Sequence, residues 1–305
     1  MTKTIGVIGS GKHFIEKIYP ILIKSDFFKL SGILRKKNIP FKRIKLFDEK
    51  SFFRNKFDFI YISCPNKYHE KYIIKSLESG AHVICEKPFL IKKKNLDKIL
   101  KLSKLNERLI FESFMFIYHP VFKYVKNLFK NNKYGKLKYL ISNFRFPSLD
   151  KKNHRYNSKG GGFFLDAACY LLALENYLFD KSNSSLNYYF QNIKNKFSLR
   201  GNIVIRSYAN RYYFWGEGQN YSNNLEIFFN KATIFIDKFF SKNKNEEIIV
   251  KIYCNNKIIK KNFRKINHFQ EMFKVIRKNY NKKDFQNFHR KKIEDQLNLL
   301  IKNNK

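Results

Sequence analysis

Three stretches of the chain carry side chains able to do chemistry together. In VICEKPF, residues 83–89, an apolar run stops at Glu86, Lys87 and Pro88. Open α/β sheets bind ligands beyond the carboxyl ends of their strands, so a lysine held at such an end faces a ligand. The bland alternative is a surface charge pair. In GGGFFLDAACYLL, Asp166 and Tyr170 are four apart and share one face of a helix. An aspartate on an otherwise apolar helix is expensive to bury without a partner. Gly160, Gly161 and Gly162 before it let the backbone come close to another group. Read separately, the glycines are a flexible loop and Tyr170 a core aromatic.

The third stretch, VIGSGKHF, puts Gly9 and Gly11 directly after the first strand, with Ser10, Lys12, His13 and Phe14 completing the turn. One glycine permits a tight turn, and a second lets a pyrophosphate approach the backbone at the start of the next helix. Phe14 occupies the third small position of the usual GxGxxG pattern. Without further context the turn is only a strand-to-helix connection. SCPNKYH closes a later strand, and Cys64, Pro65, Asn66 and His69 lie at its carboxyl end. A capped turn with a surface histidine is the simpler account of it. The second strand ends in GILRKK. An acidic residue there would bind a ribose 2′-hydroxyl, and an arginine a 2′-phosphate. Here the acid is missing and Arg35 and Lys36 follow. This pattern points to NADP(H) as the preferred dinucleotide, with NAD(H) possible.

The elements that must position these residues change character along the chain. Up to about residue 118, short apolar strands alternate with helical patterns, which implies parallel strands joined by crossovers in a doubly wound sheet. Pro20 should kink or shorten the first helix. A helix at PVFKYVKNLFKN, a strand at KLKYLISNFRF and the helix bearing Asp166 follow. Beyond residue 185 strands succeed one another at short turns, the signature of an antiparallel sheet, and the end is helical. The expected division is residues 1–118, a dinucleotide-binding Rossmann domain, and 119–305, an α+β domain.

Composition bounds the partners. The 305 residues contain 62 Lys+Arg against 24 Asp+Glu, a formal net charge of +38. The lysines are dispersed rather than gathered on one tract. Asn, Ile, Phe and Tyr are also abundant, and all have AT-rich codons, so base composition accounts for the charge as well as a polyanion does. No specific nucleic acid partner is expected, since charge lacks a matching motif. Cys64, Cys85, Cys169 and Cys254 form no CxxC or Cys/His pattern, which reads as reduced thiols in a cytoplasmic protein without a metal site. No apolar run is long enough to span a bilayer, and no membrane partner is expected.

CPNKYH, CEKPF and GGGFFLDAACY occur in an order and spacing that resemble the Gfo/Idh/MocA oxidoreductases, with FESFMFIYHP and NHFQEMF extending the likeness over nearly the whole chain. The resemblance implies an N-terminal Rossmann domain and a C-terminal α+β domain on an open, mainly antiparallel sheet. That sheet commonly joins subunits, so a homo-oligomer, dimer or tetramer, is expected. It also implies that Lys87 lies near the nicotinamide and the reacting carbon, with the following proline cis. Tyr170, where many relatives carry histidine, matches the tyrosine-containing branch.

On this reading Tyr170 is the acid/base, Lys87 stabilises its phenolate and binds the substrate oxygen, and Asp166 holds a sugar hydroxyl or orients Lys87. A free tyrosine titrates near ~10, too high for an efficient base at neutral pH, and a neighbouring ammonium lowers that value. Glu86 completes the expected cofactor contacts. The loop from Asp150 to Lys159, with His154 and Arg155, is placed to cover a carbohydrate-type substrate: a sugar, nucleotide-sugar or cyclic polyol. Two alternatives stay open: a non-catalytic dinucleotide-binding sensor on the same fold, and a basic nucleic-acid-binding protein.

Overall fold

The computed structural model describes residues 2–34, 44–150, 156, 162–179, 184–194, 197–218 and 220–302. These divide into two compact units: Met1–Ser113 with Met272–Ile301, and Phe114–Glu271 with Lys302–Lys305. The expected division at 118/119 left the C-terminal helices with the second domain, whereas most of that segment groups with the first unit.

The first unit holds β1 (Lys3–Ile8), α1 (Tyr19–Leu22), β2 (Phe28–Leu34), β3 (Leu46–Phe47), α2 (Glu49–Arg54), β4 (Phe59–Ile62), α3 (His69–Glu78), β5 (His82–Cys85), α4 (Leu96–Leu105) and β6 (Ile110–Glu112). Its six strands run β3-β2-β1-β4-β5-β6, and every neighbouring pair is parallel. The order reverses between β1 and β4, the switch point at which such sheets open a crevice. β4 and β5 are buried at every position, as strands covered on both faces must be. Pro20 falls in the first turn of α1, which ends after four residues. A wider π-helical turn, Phe14–Ile18, precedes it. Asp48 caps α2 by accepting from Ser51 N at 2.9 Å.

The second unit contains α5 (Pro120–Lys130), β7 (Leu137–Phe146), α6 (Cys169–Leu178), β8 (Ser185–Lys194), β9 (Phe197–Arg206), β10 (Asn210–Glu217), β11 (Ser222–Phe229), β12 (Thr233–Asp237), β13 (Ile248–Cys254) and β14 (Lys257–Phe263). These strands form one open sheet, β14-β13-β12-β11-β7-β10-β9-β8. All pairings are antiparallel except β7 with β10, which is parallel. Burial alternates along β11 and β12, so one face is apolar core, with Leu225, Ile227, Ile234 and Ile236 inward. The other face leaves Tyr139, Ile249 and Tyr253 exposed, with Tyr139 stacked on Phe228 at 4.2 Å. Two helices end the chain, α7 (His268–Asn279) and α8 (Lys283–Ile301). In the first unit, Phe273 packs on Phe28 and Tyr61, while Ile293 and Leu297 join the core with Ile62, Val83 and Cys85.

Candidate active site

The first unit gathers most of the dinucleotide candidates at the carboxyl ends of β1, β4 and β5. Gly9 follows β1 with φ of +98°, and a Cβ there would lie 2.6 Å from the Cys64 backbone nitrogen. Only glycine fits both constraints. Ser63 fastens the two loops: its N–H donates to Ile8 O at 2.8 Å, and its hydroxyl to Gly9 O at 2.7 Å. A Cβ on Gly11 would meet nothing within 4 Å. That open side, beside a turn that starts a helix, fits a diphosphate approaching the backbone. Ser10 and Lys12 border the turn, and the exposed Lys12 ammonium is 3.8 Å from Glu16. Phe14, by contrast, is fully buried, and its ring packs against Tyr19 at 6.0 Å. Its side chain serves the helix packing; the wider turn begins at this bulky residue.

Glu86 is the centre of a small network. Its Oε1 accepts from the Tyr61 hydroxyl and lies 3.2 Å from His13 Nε2. Burial works against the Glu86 charge, but His13, Tyr61 and Lys87 outweigh it and hold the carboxyl below its ordinary value. Burial likewise opposes a proton on His13, and the Glu86 carboxylate more than offsets this, raising the imidazole above its ordinary value. The glycine turn and the Glu86-Lys87 turn are therefore joined by a charge-assisted contact. Lys87 is half-buried, and its bond to Pro88 is cis.

His69, expected among the cofactor contacts, is wholly enclosed. Nδ1 lies 2.9 Å from Pro88 O and Nε2 lies 2.9 Å from Cys64 O. Its ring ties the Cys64-Pro65-Asn66 loop to the Lys87-Pro88 turn from beneath. Cys64 and Asn66 are partly exposed at that edge, and Pro65 is exposed. Arg35 and Lys36 lie outside the described residues.

In the second unit Gly162, with φ of +81°, leads into a π-helical turn, Phe164–Ala168, that continues as α6. Asp166 is half-buried on this turn, and Tyr170 is 8 % exposed. The Tyr170 ring stacks on Phe144 at 4.8 Å, with Phe114, Phe116 and Phe240 around it. Its hydroxyl reaches Met115 Sδ at 3.9 Å. Tyr156, within the expected covering loop, donates to Glu217. His154, Arg155, Gly160 and Gly161 lie outside the described residues.

Tyr61, Ser63 and Glu112 have no place among the sequence candidates. Tyr61 and Glu112 sit inside apolar strands and look like core in one dimension; only Ser63, beside Cys64, carries a positional signal. Among the described residues no cluster of three or more His, Cys, Asp or Glu could hold a metal ion, and no helix is long and apolar enough to cross a membrane.

Comparison with known proteins adds an independent line. Residues 3–114 match the profile described as oxidoreductase family, NAD-binding Rossmann fold (GFO_IDH_MocA), and residues 122–234 match the GFO/IDH/MocA C-terminal domain. The chain is 24% identical over 178 residues to a dTDP-3,4-didehydro-2,6-dideoxy-alpha-D-glucose 3-reductase of Actinomadura kijaniata, covering 54% of this chain and 53% of that protein. It is 23% identical to the enzyme of the same name from Saccharopolyspora spinosa, covering 64% and 60%. A trans-1,2-dihydrobenzene-1,2-diol dehydrogenase of Xenopus laevis is 23% identical over 40% of this chain and 37% of its own. The matches thus span about half the length of these curated relatives. In fold the chain is similar to a 3-ketoreductase from Actinomadura kijaniata solved with NADP and TDP-benzene. The TM-score is 0.89 at 17% identity, over 98% of this chain and 96% of that one.

Proposed function

Since the chain belongs to the GFO/IDH/MocA oxidoreductase family, we propose that it transfers a hydride between a nicotinamide dinucleotide and the carbonyl or hydroxyl carbon of a sugar, nucleotide-linked sugar or cyclic polyol. The observation that carries this reading is the His13–Glu86 contact at 3.2 Å. It fastens a turn open to phosphate directly to the residue before Lys87, so a cofactor site and a reactive ammonium share one edge of the sheet.

Gly9, Ser10, Gly11, Lys12 and His13 would hold the diphosphate, with Cys64, Pro65, Asn66 and Glu86 along the remaining edge. The dinucleotide supplies or accepts the hydride when bound. Lys87 would donate a hydrogen bond to the reacting oxygen and stabilise charge on it. Tyr170 would pass the proton as general acid or base. Asp166 would orient a substrate hydroxyl. NADP(H) is the proposed preference: β2 ends without a carboxylate before Arg35 and Lys36, and an arginine can grip a 2′-phosphate in forked geometry. The NADP bound in the similar 3-ketoreductase agrees with it. The TDP-sugar names of the relatives favour a nucleotide-linked sugar among the substrates. The exposed aromatic face of the second sheet suits a second copy of the chain. Four thiols and no disulfide suit a reducing cytoplasm.

The test follows NADPH absorbance against a panel of ketosugars, aldoses and nucleotide-sugars, with wild type and Lys87→Ala. Turnover by the wild type, lost by orders of magnitude in the variant while NADPH still binds, is the expected result. A Lys87→Ala protein as fast as wild type would reduce the lysine to a surface charge.

A further inference from the structure

Glu112 closes β6 and is 4 % exposed, yet the proposed chemistry leaves it without a part. Its Oε1 accepts from Phe89 N at 2.8 Å. Pro88 has no N–H, so Phe89 offers the first backbone donor after the Lys87-Pro88 bond. The Glu112 main chain pairs with Cys85, and Ser113 N donates to Cys85 O at 2.9 Å. The end of β6 therefore holds the Glu86–Phe89 turn on both sides, by its backbone before Glu86 and by its carboxyl after Pro88.

We propose that Glu112 is a positioning residue for Lys87, setting the turn that carries the lysine through the Phe89 N–H. This rests on the reading of Lys87 as the group that acts on the substrate oxygen. A buried acceptor is what the turn requires, because a backbone N–H without a partner there would be stranded. The ionisable groups around the carboxyl are Lys87 and Glu86 on the turn and the Cys85 thiol on β5. His289, on α8, packs its ring against Phe111 at 4.5 Å. Burial pushes Glu112 up to about 8; the Phe89 hydrogen bond and Lys87 pull against that rise, and Glu86 adds to it. Burial thus favours the uncharged form of the carboxyl, which still offers an oxygen to the Phe89 N–H. A glutamine reproduces both properties: it is uncharged and keeps an oxygen acceptor.

Hydrogen–deuterium exchange across residues 86–92 is compared in wild type, Glu112→Gln and Glu112→Ala. Glu112→Ala is expected to speed exchange at Phe89 by about tenfold or more, the worth of one buried hydrogen bond, while Glu112→Gln stays near wild type. Turnover should follow the same order: kcat falls about tenfold or more in Glu112→Ala and recovers in Glu112→Gln, with NADPH affinity unchanged in both. Should Glu112→Ala fail to fold, Glu112→Asp withdraws the oxygen by one methylene and is expected to loosen Phe89 likewise. Unchanged Phe89 exchange in the shortened variant, or equal kcat losses in the glutamine and alanine proteins, overturns the proposal. The exchange arm needs no substrate, so a chain that reduced nothing on the panel would sink the functional reading without deciding the fate of Glu112.

Discussion

His13 Nε2 stands 3.2 Å from Glu86 Oε1, the oxygen that also accepts the Tyr61 hydroxyl. The Glu86 carboxylate raises the pKa of the half-exposed imidazole against partial desolvation, with Lys87 and Lys17 opposing. A raised pKa means that the cation persists above the ordinary histidine range and is lost as pH rises through the new value. Dinucleotide affinity is therefore expected to be greater near about pH 6 than near about pH 8.5, by about threefold for a half-exposed charge. Titrating with NADH avoids the 2′-phosphate's own ionisation. His13→Gln should flatten the dependence. A slope that survives the substitution would place the titrating group elsewhere.

Gly9→Ala combines a left-handed backbone, φ of +98°, with a Cβ 2.6 Å from Cys64 N and 2.7 Å from the Ser63 carbonyl carbon. Both neighbours are backbone and cannot swing aside. A loss of about 1–3 kcal/mol or more is expected, together with the dinucleotide site. Thermal melting with and without NADPH measures both. An alanine protein that melts like wild type and gains the same ligand shift would contradict the close approach.

Tyr170→Phe keeps a ring that stacks on Phe144 and removes a hydroxyl that reaches the Met115 thioether at 3.9 Å. Stability should change by less than about 1 kcal/mol. Turnover should fall roughly 100- to 10,000-fold if the hydroxyl moves the proton. A loss under about threefold would leave Tyr170 as a core aromatic.

Glu175 on α6 receives Arg211 in a two-pronged contact at 2.8 and 2.9 Å, and accepts from the Tyr213 hydroxyl at 2.8 Å. Arg211 is 1 % exposed and lies over the Phe179 ring. Glu175→Gln strands a buried guanidinium and is expected to cost about 3–5 kcal/mol, read as a lowered urea midpoint. Replacing both partners, Glu175→Leu with Arg211→Met, should restore much of it. A double variant no better than the single one would show that the charges themselves are indispensable.

Five imidazoles resist protonation chiefly because they are buried: His69, His82 and His119 (the latter two at about 4), and His268 and His289 at about 3. The depressed values mean that their contribution is present above the unfolded histidine value and lost as pH falls from there through 4 and 3. Each group adds a slope of up to about 1.4 kcal/mol per pH unit in that window. His82 Nδ1 accepts from Leu109 N at 2.9 Å, a bond that asparagine Oδ1 can replace. Melting temperature followed from about pH 7 to pH 4 should fall less steeply for His82→Asn. Parallel curves would exclude His82 as a proton acceptor in unfolding.

The parallel half of the fold was readable because its signals are local: buried four-residue strands, amphipathic helices and glycines at turns. So were the strand ends at which Gly9, Cys64, Glu86 and Lys87 lie. Contacts across long sequence separations were not. Tyr61 meets Glu86 from 25 residues away and looks like any strand aromatic. His69 could be seen at a strand end, but its two carbonyl partners could not. β14 reads KIIKKNF and is exposed along nearly its whole length, so it lacks the alternation that marks a half-buried strand. The parallel pairing of β7 with β10 is equally invisible, since an apolar pattern says that a strand buries a face and not which neighbour it takes.

The first unit is sewn from two pieces of chain, Met1–Ser113 and Met272–Ile301, with the second unit made between them. On the ribosome the parallel sheet therefore emerges first but receives Phe273, Ile293 and Leu297 only after the second unit has been made. Domains generally fold as units while the chain grows, from the N-terminus onward. Here the strands of the first unit must wait, with apolar ground uncovered, for α7 and α8 to be translated. A premature stop within the second unit would thus also leave the nucleotide-binding half unfinished, and residues 3–114 expressed alone are expected to aggregate unless α7 and α8 are supplied.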